Sequence, residues 1–343
     1  FIYDLFMIYL ILIVFNLIIF LIYPKISKII NINDYPDGKL KLHNHKIPLL
    51  GGPVIFSNLI LILFLQLYFF DNVLIFQEIS NLKIEIVSTV IFIISFFFIG
   101  LYDDKYKVSP FIKLFLIILF SFILLHVNQD LIVQNFSLSF YENRIFFHNF
   151  SIFFTIFCIV ILINALNFYD GINGQSSSIY IFVFAYLYYV SNFNYFYLIL
   201  ILILFFVLFL NLLNKLFLGD SGIYLITSIL IVSIIYEYNS TKNIVYADEI
   251  FYLFLLPGLD LVRLTIERLI TNKNIFYGDR KHFHHYLVKK HNLLISNFLL
   301  LILNLIPISL FYLDVNFYYI LIFFLVTYFI ILFSLKKFNK YKL

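Results

Sequence analysis

Charged residues are scarce in this sequence: Asp, Glu, Lys and Arg make up 12% of 343 residues, whereas a soluble globular domain has about 25%. The hydrophobic fraction is 63% and the mean hydropathy is +1.00, which excludes an ordinary soluble protein. Trp is absent, and the one cysteine, Cys158, permits no internal disulfide. No basic region precedes the first apolar stretch, so we expect a first membrane span there and not a cleaved signal peptide.

Long apolar runs fill most of the chain, and they are continuous instead of alternating with polar residues. In a bilayer this pattern favours helices over a closed barrel. We therefore predict an all-α, polytopic membrane protein that forms a single domain over residues 1–343, with about eleven spans. A count of ten stays open because the sixth and seventh runs are short. The predicted spans are 3–23, 53–70, 84–101, 110–127, 150–167, 177–192, 195–213, 220–237, 249–266, 293–312 and 316–335.

Basic residues are distributed very unevenly between the two sets of loops. Of 23 Lys and Arg residues, 20 follow the odd-numbered spans, and the other loops hold only Lys83, Arg144 and Lys242. The positive-inside rule then predicts an external N-terminus and a cytoplasmic C-terminus. The longest external segment, 128–149, contains short alternating stretches and predicts a small β-hairpin.

Five polar clusters fall on the predicted cytoplasmic face, and the first follows span 1. It contains Lys39 and His43 within residues 34–43, and the chain re-enters the membrane at Gly51-Gly52. The glycines make the backbone flexible at this point. Taken alone, the loop is equally typical of a basic segment attracted to anionic lipid.

The second cluster is the acidic pair Asp103-Asp104 at the end of span 3, followed by Lys107 and Lys113. Two carboxylates at a membrane boundary are costly to desolvate, which indicates a nearby cation. The alternative is a solvated loop that ends the helix.

The third cluster follows span 5. On a helix Asn164, Asn167 and Asp170 would share about a third of the circumference. Gly171 and Gly174 then let the backbone turn or approach a ligand. A polar helix end capped by glycine is the alternative.

The fourth cluster is Gly219-Asp220-Ser221-Gly222, in which a carboxylate lies between glycines. Such a carboxylate suits a metal ligand whose backbone lies close to phosphate, although an ordinary turn has the same composition.

The fifth cluster is rich in histidine and arginine. A zinc site is the less favoured interpretation because adjacent histidines have poor geometry for one metal and no cysteine is near. A cationic cradle for phosphate fits better. The predicted phosphate-binding residues here are Asp279, Arg280, His282, His284 and His285.

Carboxylates and basic groups on one face suit a magnesium ion that bridges carboxylate to pyrophosphate. A channel would need rings of similar residues along a pore, and a transporter would need polar groups near the midplane. The sequence therefore indicates an enzyme that joins a soluble nucleotide compound to a membrane-embedded acceptor. A transporter of nucleotide-sugar or lipid-linked sugar is the alternative, but few polar residues lie deep in the spans: Asn58, Gln66, Ser88, Thr89 and Asn304.

Together, the five motifs resemble those of the polyprenyl-phosphate sugar-1-phosphate transferases (glycosyltransferase family 4). The matching patterns run in order from Asp34 to His285 and include Asp-Asp, Asn-Ala-x-Asn-x-x-Asp-Gly-Ile-x-Gly and Gly-Asp-x-Gly. The final Asp-Arg-x-His-x-His-His segment is similar to the N-acetylhexosamine-1-phosphate branch, which is related to the muramoyl-pentapeptide enzymes. Three residues depart from the family pattern: Lys39 replaces Arg, Asn173 replaces a second Asp, and Gln175 replaces Leu.

The resemblance implies a reaction, partners and residue roles. The donor would be a UDP-N-acetylhexosamine and the acceptor undecaprenyl phosphate, in the bacterial cytoplasmic membrane, with no nucleic acid partner and with a homodimer allowed. Mg²⁺, or Mn²⁺ in its place, would be held by Asp220 with Asp103. Asp104 and Asp170 complete the implied catalytic set. The implied substrate-binding residues are Lys39, His43, Lys107, Lys113, Asn164, Asn167, Asn173, Asp279, Arg280, His282, His284 and His285.

Overall fold

A computed structural model describes residues 2–36, 45–68, 84–273 and 280–340 of the chain. Within these ranges it contains thirteen α-helices and two small antiparallel sheets. The helices are α1 (Ile2–Ile30), α2 (Gly51–Tyr68), α3 (Ile84–Tyr106), α4 (Pro110–Val127), α5 (Ser151–Tyr169), α6 (Gln175–Val190), α7 (Tyr195–Leu212), α8 (Gly219–Asn239), α9 (Ala247–Leu253), α10 (Leu255–Ile270), α11 (Phe283–Lys290), α12 (Leu293–Tyr312) and α13 (Phe317–Lys340).

The predicted all-α, polytopic class is confirmed, since each of the eleven predicted spans corresponds to helix. In the described ranges, eight helices are long and apolar enough to cross a membrane: α1, α3, α4, α5, α7, α8, α12 and α13. Helix α6 is shorter, with 16 residues, below the roughly 20 that an untilted span needs.

The ninth predicted span differs from the prediction because it is two helices. The chain leaves helical geometry at Phe254, between α9 and α10, where φ is −116° and ψ is 16°. Pro257 lies three residues further on. Its ring clashes with the carbonyl four residues back, at Leu253, and it has no N–H to donate. A continuous helix through 249–266 is therefore disfavoured.

The core of the bundle is α8, which has 78% of its span-length window buried. It packs against α2, α3 and α5. Its buried face carries small residues, including Ser221, Gly222 and Ser228, which let helices approach closely in a membrane. Gly100 of α3 lies so near that a Cβ there would be 2.4 Å from the Asp220 carbonyl oxygen.

The two sheets lie at opposite ends of the bundle. At one end, β1 (Asn33–Asp34) pairs with β2 (Ile47–Pro48), and Gly51 N–H donates to the Phe217 carbonyl at 2.9 Å. We call this the cluster end, because it gathers the ends of α1, α3 and α5 and the start of α8.

The opposite end carries β3 (Asn135–Leu138) and β4 (Tyr141–Phe146), an antiparallel pair that confirms the predicted hairpin. The backbone N–H of Ser139 donates to the Asp248 carboxylate at 2.9 Å, which ties the hairpin to α9. We call this the hairpin end. Segments that the basic residues assigned to opposite faces are therefore at opposite ends of the structure.

One buried polar pair joins α1 to α2 inside the apolar part of the bundle. The Asn16 and Asn58 amides bond reciprocally, each Nδ2 lying 3.0 Å from the other Oδ1. Each Nδ2 also donates to a carbonyl of its own helix. The pair thus holds the two helices together without leaving an amide unsatisfied.

The two single replacements in this pair should together destabilise the protein more than the double replacement does. Asn58→Leu leaves the Asn16 amide without its partner in an apolar medium, at an expected cost of about 1 kcal/mol. The double variant Asn16→Leu/Asn58→Leu removes both amides, so its loss should be smaller than the sum of the single losses. Unfolding free energies measured by SDS titration in mixed micelles test this, and additive losses would show that the pair is not coupled.

Candidate active site

Two acidic side chains from different helices share one lysine at the cluster end. Asp103, near the end of α3, accepts hydrogen bonds from the Val108 N–H at 2.7 Å and from Lys113 Nζ at 2.8 Å. The same Nζ lies 3.5 Å from Asp220 Oδ2 at the start of α8. Asp103 is buried, whereas the Asp220 side chain is 26% exposed. The ammonium therefore lies between two carboxylates, one buried and one partly exposed.

The neighbouring Asp104 does something different: it caps α8. Its Oδ1 accepts from the Asp220 N–H at 2.9 Å and its Oδ2 from the Ser221 N–H at 3.0 Å. The first turn of α8 has no side-chain cap from its own N-cap residue, so a carboxylate from α3 satisfies these amides. Gly219 makes this possible, because its φ is +72° and a Cβ there would lie 2.7 Å from Asp104 Oδ2. Lys107 adds a favourable electrostatic interaction with Asp104.

Asp170 ends α5 and begins the loop 170–174 that leads into α6. Its side chain reaches solvent, yet the surrounding protein displaces water from the carboxylate and raises the pKa of Asp170 to about 6. The negative charge of Asp104 raises it further. Asp170 thus lies close enough to the acidic cluster for the charge of Asp104 to affect its pKa.

The asparagines of the third motif differ in whether their side chains already have hydrogen-bond partners in the protein. Asn164 Nδ2 donates to the Val160 carbonyl at 2.7 Å, within its own helix, and the buried Asn167 Nδ2 has no hydrogen-bond partner. Asn173 Nδ2 donates to the Asn211 carbonyl at 3.2 Å and to Asn214 Oδ1 at 2.6 Å. An aspartate could not donate to either oxygen, so the departure from the family pattern at Asn173 has a local structural reason.

The histidines of the fifth motif pack against the loop 170–174. The His284 ring is buried, and a Cβ on Gly171 would lie 1.7 Å from its Nε2. Burial, together with the nearby His285 and His282, holds the pKa of His284 well below its usual value, so its imidazole is neutral. Gln175 lies at 3.2 Å from His284, Nε2 to Nδ1, which gives a structural role to a second departure from the family pattern.

His282 stacks on His284, with ring centroids 5.2 Å apart and planes at 11°. Its Nδ1 lies 3.0 Å from Asp260 Oδ2. His285 is 4.3 Å from His284 between ring centroids, and Arg280 is half-exposed ahead of α11. The predicted residues Lys39, His43 and Asp279 lie outside the described residues.

The structure therefore brings the acidic and histidine clusters together through one loop. Asp170 interacts with Asp104 on one side, and Gly171 contacts His284 on the other. Gln175 and Asp260 were not among the predicted site residues. A signal for Asp260 was present, since an ionisable pair with Arg263 inside an apolar run indicates function.

The donor set of the acidic cluster fits a hard divalent cation. Asp103 and Asp220 offer carboxylate oxygens, the ligands that Mg²⁺ prefers, and Lys113 shows that a positive charge is stabilised between them.

Comparison with known proteins matches residues 86–237 to the model of glycosyl transferase family 4. The matched stretch runs from α3 to α8 and includes Asp103, Asp104, Asp170 and Asp220. The family resemblance is confirmed. A curated protein of Escherichia coli O157:H7, undecaprenyl-phosphate alpha-N-acetylglucosaminyl 1-phosphate transferase, is 21% identical over 276 residues, which cover 77% of this chain and 71% of that protein.

A methyl group at Gly171 should destabilise the protein by about 1 to 3 kcal/mol, because it would overlap the buried His284 ring. Gly258→Ala is the matched control, since nothing lies within 4 Å of a Cβ there and Ala favours the helix over Gly. Thermal unfolding of both variants in detergent measures the difference. Equal stability of Gly171→Ala and Gly258→Ala would contradict the close packing of His284 on the loop.

Proposed function

We propose that the protein transfers an N-acetylhexosamine-1-phosphate from a UDP-linked donor to undecaprenyl phosphate in the bacterial cytoplasmic membrane. The products are a lipid-pyrophosphoryl sugar and UMP, and the reaction begins a cell-envelope glycan. The observation that carries this proposal is the arrangement of Asp103, Lys113 and Asp220 at one end of a membrane bundle, within a stretch that matches the family.

The reaction needs positioning more than it needs a base. An oxygen of the acceptor phosphate attacks the sugar-bearing phosphorus of the donor, and the bond from that phosphorus to the bridging oxygen breaks. UMP leaves with the electron pair. Because the second pKa of a phosphate monoester is about 6, the acceptor is largely a dianion at neutral pH. Direct in-line transfer therefore accounts for the reaction without an aspartyl-phosphate intermediate.

Asp220 and Asp103 would hold Mg²⁺, or Mn²⁺ in its place. The ion would neutralise the pyrophosphate and the charge that develops on departing UMP. Lys113 would contribute to phosphate binding. Its ammonium compensates both carboxylates in the structure, so it can turn to a phosphate oxygen when another cation compensates the acids.

The phosphate-binding side of the site is formed by the loop 170–174 and the histidine cluster. The neutral His284 provides hydrogen bonding without charge, and Arg280, His282 and His285 lie beside it in the chain. The unpartnered Asn167 Nδ2 is a further donor for an oxygen of the substrate.

An apolar groove of about 440 Å³ lies between α4 and α5. Its presence supports the proposal that the acceptor is a lipid. The groove is lined by Phe115, Ile118, Leu119, Phe122, Phe153, Ile156, Phe157 and Val160. Asn164 lies one helical turn beyond Val160 on α5, toward Asp170, so the same helix face leads from the groove to the polar site. A polyprenyl chain in this groove would place its phosphate at the cluster end.

The transporter alternative is less favoured by the pairing of polar residues inside the bundle. Asn58 is bonded to Asn16, and Asn304 Nδ2 donates to the Tyr169 hydroxyl at 3.0 Å and to the Leu300 carbonyl at 2.7 Å. These side chains join helices instead of lining a path across the membrane.

Purified protein should release UMP only when undecaprenyl phosphate, a UDP-N-acetylhexosamine and Mg²⁺ are all present. Asp220→Asn should lower the rate by at least about 100-fold, because it removes charge from the cation site. Asp130→Asn is the control: Asp130 is an exposed aspartate at the hairpin end, and its replacement should leave the rate unchanged. UMP release and the lipid product are measured together across a panel of UDP-hexosamines.

Two results would contradict this proposal. Near-wild-type turnover of Asp220→Asn at limiting Mg²⁺ would remove the metal assignment. No UMP release across the panel, with uptake of nucleotide-sugar into proteoliposomes, would establish transport instead.

A further inference from the structure

Asp260 is surrounded by donors from three parts of the chain. Its Oδ1 accepts from Arg263 at 2.7 Å and from the Tyr328 hydroxyl of α13 at 2.8 Å. Its Oδ2 lies 3.0 Å from His282 Nδ1, and the Phe283 N–H is 3.3 Å from both oxygens. Asp260 is 3% exposed and His282 is 7% exposed, so water competes little with these bonds.

This arrangement fixes how His282 can act. A carboxylate accepts but cannot donate, so the hydrogen on this contact belongs to Nδ1 of the imidazole. With Nδ1–H committed to Asp260, Nε2 is the ring nitrogen that remains for a ligand.

We propose that Asp260 is a positioning residue, which accepts the Nδ1 hydrogen of His282 and so fixes the ring with Nε2 presented to the substrate. This rests on the proposed function for the identity of the ligand, but the bond between Asp260 and His282 does not. Arg263 completes the unit: it donates to Asp260 and, at 2.7 Å, to the Lys281 carbonyl next to His282. Arg263 therefore fixes the backbone at Lys281, while Asp260 fixes the imidazole ring of His282.

A metal ion is the competing occupant of this cluster. Ligand atoms of Asp260, His282 and His284 lie within 4.8 Å of one another. The Arg263 guanidinium, however, lies 2.7 Å from Asp260 Oδ1 and would repel a divalent cation placed on that carboxylate. The positive charge of Arg263 thus disfavours a metal ion at this cluster.

Other titratable groups also surround His282 and contribute to its charge balance. His284 and His285 are on α11, with ring centroids 5.2 Å and 5.7 Å away. Tyr328 faces Asp260 from α13, and Arg263 bonds to Tyr328 and Glu267 on its other side. Asp260 is the carboxylate bonded to the ring, so its removal should change the orientation and tautomer of His282 more than the removal of the Tyr328 hydroxyl.

The experiment compares Asp260→Asn with Tyr328→Phe, which removes a different hydrogen bond from the same carboxylate. Asp260→Asn should lower kcat/KM for UMP release by about 10- to 100-fold, because a neutral amide accepts the Nδ1 hydrogen less strongly than a carboxylate does. Tyr328→Phe keeps the bond between Asp260 and His282, so its loss should be much smaller. Equal losses for the two variants would reduce Asp260 to a structural role and overturn the proposal.

A second measurement needs no turnover. In protein with ¹⁵N-labelled histidine, assigned by comparison with His282→Gln, the His282 Nδ1 should be protonated at neutral pH and should lose this signature in Asp260→Asn. An unprotonated Nδ1 in the wild-type protein, or stoichiometric Zn²⁺ binding that shifts both His282 and His284, would overturn the proposal. A correct Nδ1 signature in protein that releases no UMP would instead refute the proposed function alone.

Discussion

The site depends on one interaction, the capping of α8 by Asp104 across the interface with α3. The first amides of α8 are buried at the cluster end of the bundle, where unsatisfied donors are costly. Asp104 satisfies the amides of Asp220 and Ser221 together, and the partial positive charge of the helix start stabilises its carboxylate. The same two bonds fix the backbone from which the Asp220 side chain projects. The cap made by Asp104 therefore also positions the Asp220 carboxylate.

The adjacent acids Asp103 and Asp104 therefore have separate tasks. Consecutive helical side chains diverge by about 100°, so Asp104 faces α8 while Asp103 faces Lys113 of α4. Lys113 then links Asp103 to Asp220. Three helices meet at one point, and glycines at Gly100 and Gly219 allow the approach. The site is thus a consequence of how α3, α4 and α8 pack.

The helices and the end of the bundle at which the polar clusters lie could be predicted from sequence, because both depend on local patterns of residue type. Apolar run length gave the helices, and the distribution of lysine placed the clusters at one end. The break at Phe254 was missed because a proline inside an apolar run still resembles a span. The roles of Asn173 and Asp260 were missed for another reason: their partners Asn211 and His282 are 38 and 22 residues away. Such long-range bonds arise only from tertiary packing.

The most direct test of the cap is amide hydrogen exchange at the start of α8, measured by mass spectrometry on peptides that cover 216–224. The account predicts strong protection of the Asp220 and Ser221 amides in the wild-type protein, marked loss of it in Asp104→Ala, and retention in Asp103→Ala. Unchanged protection in Asp104→Ala would show that α8 begins without this carboxylate and would contradict the account.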